Sequence, residues 1–215
     1  MILEGIQACL FDNDGVLVDS KSSVISAWNS WGEQMGLDFK YDMSFHGRRA
    51  EEIVRDFISE EHFEKAYALI NQLELDLAHE TKPIIGALEL TESIPKRLWN
   101  VCTSAGTALG TSRLDAAGID YPAQIVTADH VTNGKPDPEP YTLGAKRLGI
   151  DSANCLVLED AISGIKSGWA SGAGMVIGVG EEILELTEKE MVISDLRGIS
   201  YVAGEFVLDE EYRLR

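Results

Sequence analysis

Cysteine is scarce in this chain of 215 residues: there are three, Cys9, Cys102 and Cys155, each inside a short apolar run. Their odd number and wide scatter fit neither a disulfide framework nor a cysteine metal site. They read as core residues in a reducing cytoplasm. Long apolar runs are missing as well. No uninterrupted stretch approaches the roughly 20 residues of a membrane span, and MILEGIQACLF has an acid where a signal peptide carries basic residues. Neither a membrane protein nor an exported one is expected. Positive charge is the third shortage: 18 basic residues face 36 acidic ones, a formal net charge of −18. Phosphate backbones and anionic membranes repel such a chain, which excludes nucleic acid and membrane as partners. An anionic substrate must then be small and held by local positive charge, and a monomer is the default assembly.

With 45% hydrophobic residues, the chain has enough for one full core and a small second lobe. Short apolar runs recur at IQACLF (6–11), RLWNVCTS (97–104), AQIVTA (123–128), NCLVLE (154–159) and GMVIGV (174–179), with helix-like segments between the later ones. Such alternation predicts an α/β fold, a doubly wound parallel sheet covered on both faces. Each run passes into a polar or glycine-rich segment, and an open parallel sheet gathers such segments at its carboxyl edge, where ligands bind. Between the first two runs the alternation stops. From Ser20 to Thr81 apolar residues recur at helical spacing, which predicts an inserted helical lobe, punctuated at its return by Pro83 and Gly86. The acidic EEILELTEKE (181–190) reads as a solvated helix or loop.

The chemistry begins at FDNDGVLVDS. Asp12 ends a strand and Asp14 follows by two, so alternation aims both to one side, about 7 Å apart along the chain, with Gly15 permitting a sharp turn. One carboxylate can attack while the other handles a proton. An Asp-x-Asp-Gly also closes a strand as a plain Asx turn, so the neighbours decide. Glu159 and Asp160 leave the fourth run at the same edge, bringing four carboxylates toward one point. Unpaired, they raise one another's pKa values, and a hard divalent cation such as Mg²⁺ resolves the conflict. Thr103 and Ser104 offer hydroxyls and backbone N–H groups to an anion, although Thr-Ser is equally a helix cap. Lys135, between Gly134 and Pro136, sits in a loop with little freedom. Together these residues suit phosphoryl transfer, where positioning and charge neutralisation supply most of the catalysis.

DNDGVLVDS, CTSAG, GKPDPEPY and LEDAISGI, in that order, resemble the four motifs of the haloacid dehalogenase superfamily, and the resemblance covers essentially the whole chain. It implies a Rossmann-like catalytic core over 1–18 and 84–215 and a helical cap of the C1 type over 19–83. It implies that Asp12 is the nucleophile and Asp14 the general acid and base. Thr103 and Lys135 complete the catalytic set, and Asp12, Asp14, Glu159 and Asp160 hold Mg²⁺. Asp14 speaks against a true dehalogenase, because cleaving carbon–halogen bonds needs no general acid there, whereas phosphate ester hydrolysis does.

Within the superfamily the chain is similar to the phosphatases of small sugar and polyol phosphates, including those for glycerol 3-phosphate and 2-deoxyglucose 6-phosphate. The resemblance implies that Ser104, His46, Gly47 and Arg49 bind substrate, with HG-x-R as the cap loop; Arg48 is an added basic residue, a further candidate substrate contact whose role the resemblance leaves open. Arg or His on a loop facing the site would meet hydroxyls or phosphate. Alternatively the two arginines pair with Glu51 and Glu52 on the surface; one pointing inward and one outward is expected. Trp28 and Trp31 read as packing residues. β-Phosphoglucomutase shares the four motifs and is the rival, but Val24 stands where the mutase has a histidine and His46 where it has a cap lysine. A phosphometabolite-binding module without turnover is the remote alternative; it calls for degenerate motifs, and Asp12, Asp14, Lys135 and Asp160 are all present.

Overall fold

The computed structural model describes residues 1–187 and 190–215. The first apolar run forms strand β1 (Ala8–Phe11), and the chain then passes through the short β2 (Val18–Asp19) into three helices, α1 (Lys21–Met35), α2 (Ala50–Phe57) and α3 (Glu60–Leu77). It returns through β3 (Lys82–Pro83), which pairs antiparallel with β2, so both crossings into the helical lobe lie side by side. The rest alternates: α4 (Ala87–Ser93), β4 (Trp99–Val101), α5 (Thr107–Ala116), α6 (Glu139–Leu148), β5 (Cys155–Glu159), α7 (Ile162–Ala170), β6 (Met175–Val179), α8 (Glu181–Leu186) and β7 (Met191–Ile193). A hairpin, β8 (Ile199–Val202) and β9 (Glu205–Leu208), follows.

Five strands make one parallel sheet in the order β4-β1-β5-β6-β7. Because side chains alternate across a strand, Cys9, Phe11, Leu156 and Leu158 pack on one face with α4 and α5. Ala8, Leu10, Cys155 and Val157 pack on the other with α6, α7 and α8. Burial on both faces explains why these strands read as continuous apolar runs. All three cysteines are buried and free. The chain leaves β1 to build β4 on one side and β5 on the other, so a topological switch point, and its crevice, lies at the carboxyl end of β1. No helix among the described residues is long and apolar enough to cross a membrane.

The structure corrects the sequence reading at four places. AQIVTA forms no strand: Val126 makes a single parallel bridge to Cys102 before the backbone turns away. The fifth strand is instead Met191–Ile193, too short to stand out by periodicity. The stretch Ser20–Thr81 is not helical throughout. Gly36, at φ 68°, ends α1 in the left-handed conformation glycine favours, and a mostly irregular segment runs from there to Arg49. Finally, the helix expected in EEILELTEKE runs to Leu186 with Glu181, Glu182 and Glu185 exposed, but its Ile183 is buried rather than solvated; residues 188–189 lie outside the described residues.

The lobe has its own core, in which Trp31, Ile53, Phe63 and Ile70 are buried. Trp28 and Trp31 pack edge to face with centroids 5.3 Å apart, and the Trp31 indole donates to the Ala66 carbonyl. Along α3 the buried positions are Phe63, Ala66, Ile70 and then Glu74, a carboxylate in the phase of an apolar residue.

Candidate active site

Asp12 directly follows β1, its backbone N–H continuing the ladder to the Leu158 carbonyl. Its Oδ1 accepts from Lys135 Nζ at 2.7 Å, and the same ammonium donates to Glu159 Oε1 at 2.6 Å. Tyr141 OH also donates to Glu159 Oε1, while the N–H groups of Asp160 and Ala161 donate to Oε2. Glu159 therefore has both oxygens filled, in a space that α7 leaves only because residue 164 is glycine: a Cβ there would fall 1.7 Å from Oε1. Its part is to hold Lys135 rather than to reach into the crevice.

Asp12, Glu159 and Asp160 bring ligand oxygens within 4.8 Å of one another. Asp160 Oδ2 meets His46 Nε2 at 2.7 Å, and its Oδ1 is buried without a partner. Burial drives the Asp12 carboxyl well above its usual range; Lys135 pulls it back, and Glu159 and Asp160 push it up again. Asp160 is likewise raised by burial against the pull of His46. Burial opposes the charge on His46, but Asp160 outweighs it and lifts the imidazole to about 9. Positive charge is thus short at this point, and the orphaned Asp160 Oδ1 is an open ligand position. A divalent cation fits the donor set, with Asp12 and Asp160 as the carboxylates free to hold it. Gly15 makes the close approach possible: at φ +83° and with Asp160 Oδ2 where a Cβ would stand, it admits no side chain.

Three of the four expected carboxylates meet; Asp14 stands apart. Regular alternation ends with β1, and the chain turns through Asn13 and Gly15, whose N–H donates to the Val18 carbonyl. Asp14 Oδ1 accepts from the Ser20 hydroxyl at 2.5 Å and from Arg113 Nη1 at 2.9 Å. Thr103 is buried at the crevice and its Oγ1 accepts from the Ala105 N–H, shaping the turn into α5. The Ser104 hydroxyl is committed elsewhere: it donates to the carbonyl of Gly47 at 2.9 Å, tying the lobe's loop to the sheet edge. Arg48 pairs with Glu52 and Asp56 on the lobe, while Glu51 takes Arg55. Arg49 turns toward the core, where Nη1 and Nη2 donate to the carbonyls of Thr132 and Val131, the segment leading to Lys135.

A cavity of about 520 Å³ joins these groups. Its floor carries Asp12, Asp14, Thr103 and Asp160, and its roof carries Trp28, Tyr41, Tyr67, Asn71 and Glu74 from the lobe. Arg113 and Glu74 went unnoticed in the sequence. Their signal was available: each is a charged residue in the apolar phase of its helix, Arg113 beside the buried Leu109, Gly110 and Leu114.

A model of the family described as haloacid dehalogenase-like hydrolase matches residues 9–178. The chain belongs to that family. It is 34% identical over 198 residues to hexitol phosphatase A of Escherichia coli K12, covering 89% of this chain and 92% of the relative. It is 29% identical to 2-deoxyglucose-6-phosphate phosphatase 2 of Saccharomyces cerevisiae, over 92% and 91% of the two chains. Among solved structures, a hydrolase from Pseudomonas syringae superposes with a TM-score of 0.76 at 27% identity, over 88% of this chain and 94% of that one. A β-phosphoglucomutase from Clostridium difficile reaches the same score at 22% identity, over 89% and 92%, which attests the shared fold.

Proposed function

We propose that this hydrolase is a Mg²⁺-dependent phosphatase of small sugar or polyol phosphate monoesters, working through an aspartyl phosphate on Asp12. The observation that carries the reading is Asp12 itself, braced by a buried lysine and opening on a cavity that Asp14 also lines. Lys135 occupies Oδ1 of Asp12, which leaves Oδ2 to attack phosphorus. As the ester bond breaks, Asp14 gives its proton to the leaving alkoxide; a water then attacks the phosphoryl group and returns a proton to Asp14, freeing phosphate and Asp12. When bound at Asp12 and Asp160, Mg²⁺ supplies positive charge to the phosphate oxygens. Residues 19–83 act as a cap that encloses the substrate, with the β2–β3 pair as hinge. The enzyme works in the cytoplasm as a monomer, a setting in which three buried thiols stay free.

Substrate class follows from the cavity wall. Asn71, Tyr67 and Tyr41 offer partners for hydroxyl groups. The cations that line the cavity are engaged: Lys21 with Glu182, His46 with Asp160, Arg48 with Glu52 and Asp56, Arg49 with two carbonyls and Arg113 with two acids. A neutral polyol tail suits such a wall, and a second phosphate group does not. This favours hydrolysis over a mutase, which must hold a bisphosphate.

The test is phosphate release from a panel of phosphorylated metabolites with Mg²⁺. Monophosphates of sugars or polyols should lead, bisphosphates should trail, and Asp12→Asn should be inert. An Asp12→Asn variant with wild-type turnover would refute the mechanism. Isomerised sugar phosphate from glucose 1-phosphate in place of free phosphate would give the case to the mutase.

A further inference from the structure

One buried guanidinium joins the two lobes of this molecule. Arg113, 3% exposed on α5, donates from Nη1 to Asp14 Oδ1 at 2.9 Å and from Nη2 to Glu74 Oε1 at 3.0 Å. Asp14 belongs to the core's catalytic turn and Glu74 to the cap helix α3, where it is buried. To reach both acids, Arg113 leaves its own buried Nε without a partner. Burying an arginine with two carboxylates costs several kcal/mol per ion before their attraction is counted, and well-packed apolar residues would stabilise the same joint at least as well. A stabilising role alone is therefore a poor account of the triad.

The geometry points to Arg113 as a positioning residue that makes the aim of Asp14 depend on cap closure, an inference that rests on Asp14 being the proton carrier proposed above. A guanidinium is a rigid planar fork, so an acceptor on each of two arms fixes its plane. With the cap shut, Glu74 holds Nη2, and Nη1 then presents a fixed donor to Asp14. Arg113 and the Ser20 hydroxyl both bind Oδ1, which assigns the travelling proton to Oδ2. Asn13 stands 3.5 Å from that second oxygen, too far for more than a weak contact. Oδ2 thus gives its proton to the leaving alkoxide and recovers one from the attacking water. With the cap open, Nη2 loses Glu74 and the fork is free to turn about its remaining bond. The acid is then aimed only while the substrate is enclosed.

Leaving-group dependence separates this role from a structural one. An alkyl alkoxide needs a proton as it leaves, whereas p-nitrophenolate does not. Arg113→Met should lower kcat on the best sugar or polyol phosphate about 100-fold, the scale of one general acid–base contribution. With p-nitrophenyl phosphate, the same variant should release its first equivalent of nitrophenolate at close to the wild-type rate and then slow. Aspartyl phosphate accumulates because water activation still needs Asp14. Arg113→Lys should recover only part of the loss, since an ammonium is a point charge without the fork. Glu74→Met, which keeps the side-chain volume and leaves the Arg113–Asp14 pair intact, should show the same burst in weaker form and keeps the test decisive if Arg113→Met does not fold. Equal losses on both esters with no burst, in Glu74→Met and in any Arg113 variant that folds, would overturn the inference. A wild-type enzyme that releases phosphate from neither ester would instead overturn the phosphatase reading beneath it.

Discussion

The ammonium of Lys135 lies 2.7 Å from Oδ1 of Asp12 and is buried with it. Burial opposes the charge on Lys135, yet Asp12 and Glu159 outweigh it and hold the lysine protonated. Replacing Lys135 with Met leaves both acids without their cation, so unfolding by urea should show a loss of about 3–5 kcal/mol. Millimolar Mg²⁺ should recover part of that loss by binding the folded form alone. A Lys135→Met protein as stable as the wild type, with or without the ion, would contradict the charge deficit argued for the site.

Gly15 and Gly134 both lie against side chains, yet their substitution should have opposite outcomes. A Cβ at Gly15 would fall 1.6 Å from Asp160 Oδ2, and its φ of +83° adds backbone strain. Gly15→Ala should therefore displace Asp160 and abolish Mg²⁺ binding measured by calorimetry. A Cβ at Gly134 meets the guanidinium end of Arg49, which can move. Gly134→Ala should cost about 1 kcal/mol, the worth of an ordinary hydrogen bond, and keep full metal affinity.

Asp129 braces the helix that carries Arg113. Its Oδ2 accepts from the Thr107 N–H at 2.8 Å, and that bond holds the carboxyl below its ordinary value. A lowered native pKa contributes stability above the unfolded value of about 3.9 and loses it as pH falls through the native one. Asp129→Asn keeps an amide oxygen for the Thr107 N–H but loses the charge, so it should cost about 0.5 kcal/mol at neutral pH, as loss of a carboxylate beside a helix N-terminus does. Melting temperatures of the variant and the wild type should converge once pH falls below that lowered native value. A gap that persists there would assign the effect to packing.

The residues legible in the sequence are those that follow an apolar strand run. Asp12, Thr103 and Asp160 come together because parallel strands deliver their carboxyl ends to one edge, and that rule needs only the runs and their order. What stayed hidden depends on distance in space. Glu74 and Arg113 stand 39 residues apart; helical phase marks each as a charge on a buried face, but nothing local pairs one with the other. Ser104 reads as an anion-binding hydroxyl until the loop of the helical lobe supplies the Gly47 carbonyl. Likewise, no local pattern separates Val126, which docks by one bridge, from a residue of a true strand.

Arg49 decides between contact and closure as the work of the cap loop. The motif resemblance assigns it to substrate, and a lost substrate contact would raise KM for a polyol phosphate far more than for a small artificial ester. Its two hydrogen bonds run instead to Val131 and Thr132, from the helical lobe to the loop that carries Lys135. Removing them weakens the closed form whatever lies inside it, because the bonds do not touch the occupant. At about 1 kcal/mol per bond, Arg49→Ala should raise KM roughly tenfold or more, and alike for both esters. Protease sensitivity at the β2–β3 hinge should rise in the same variant without substrate present. Discrimination between the two esters with an unchanged hinge would return Arg49 to the substrate.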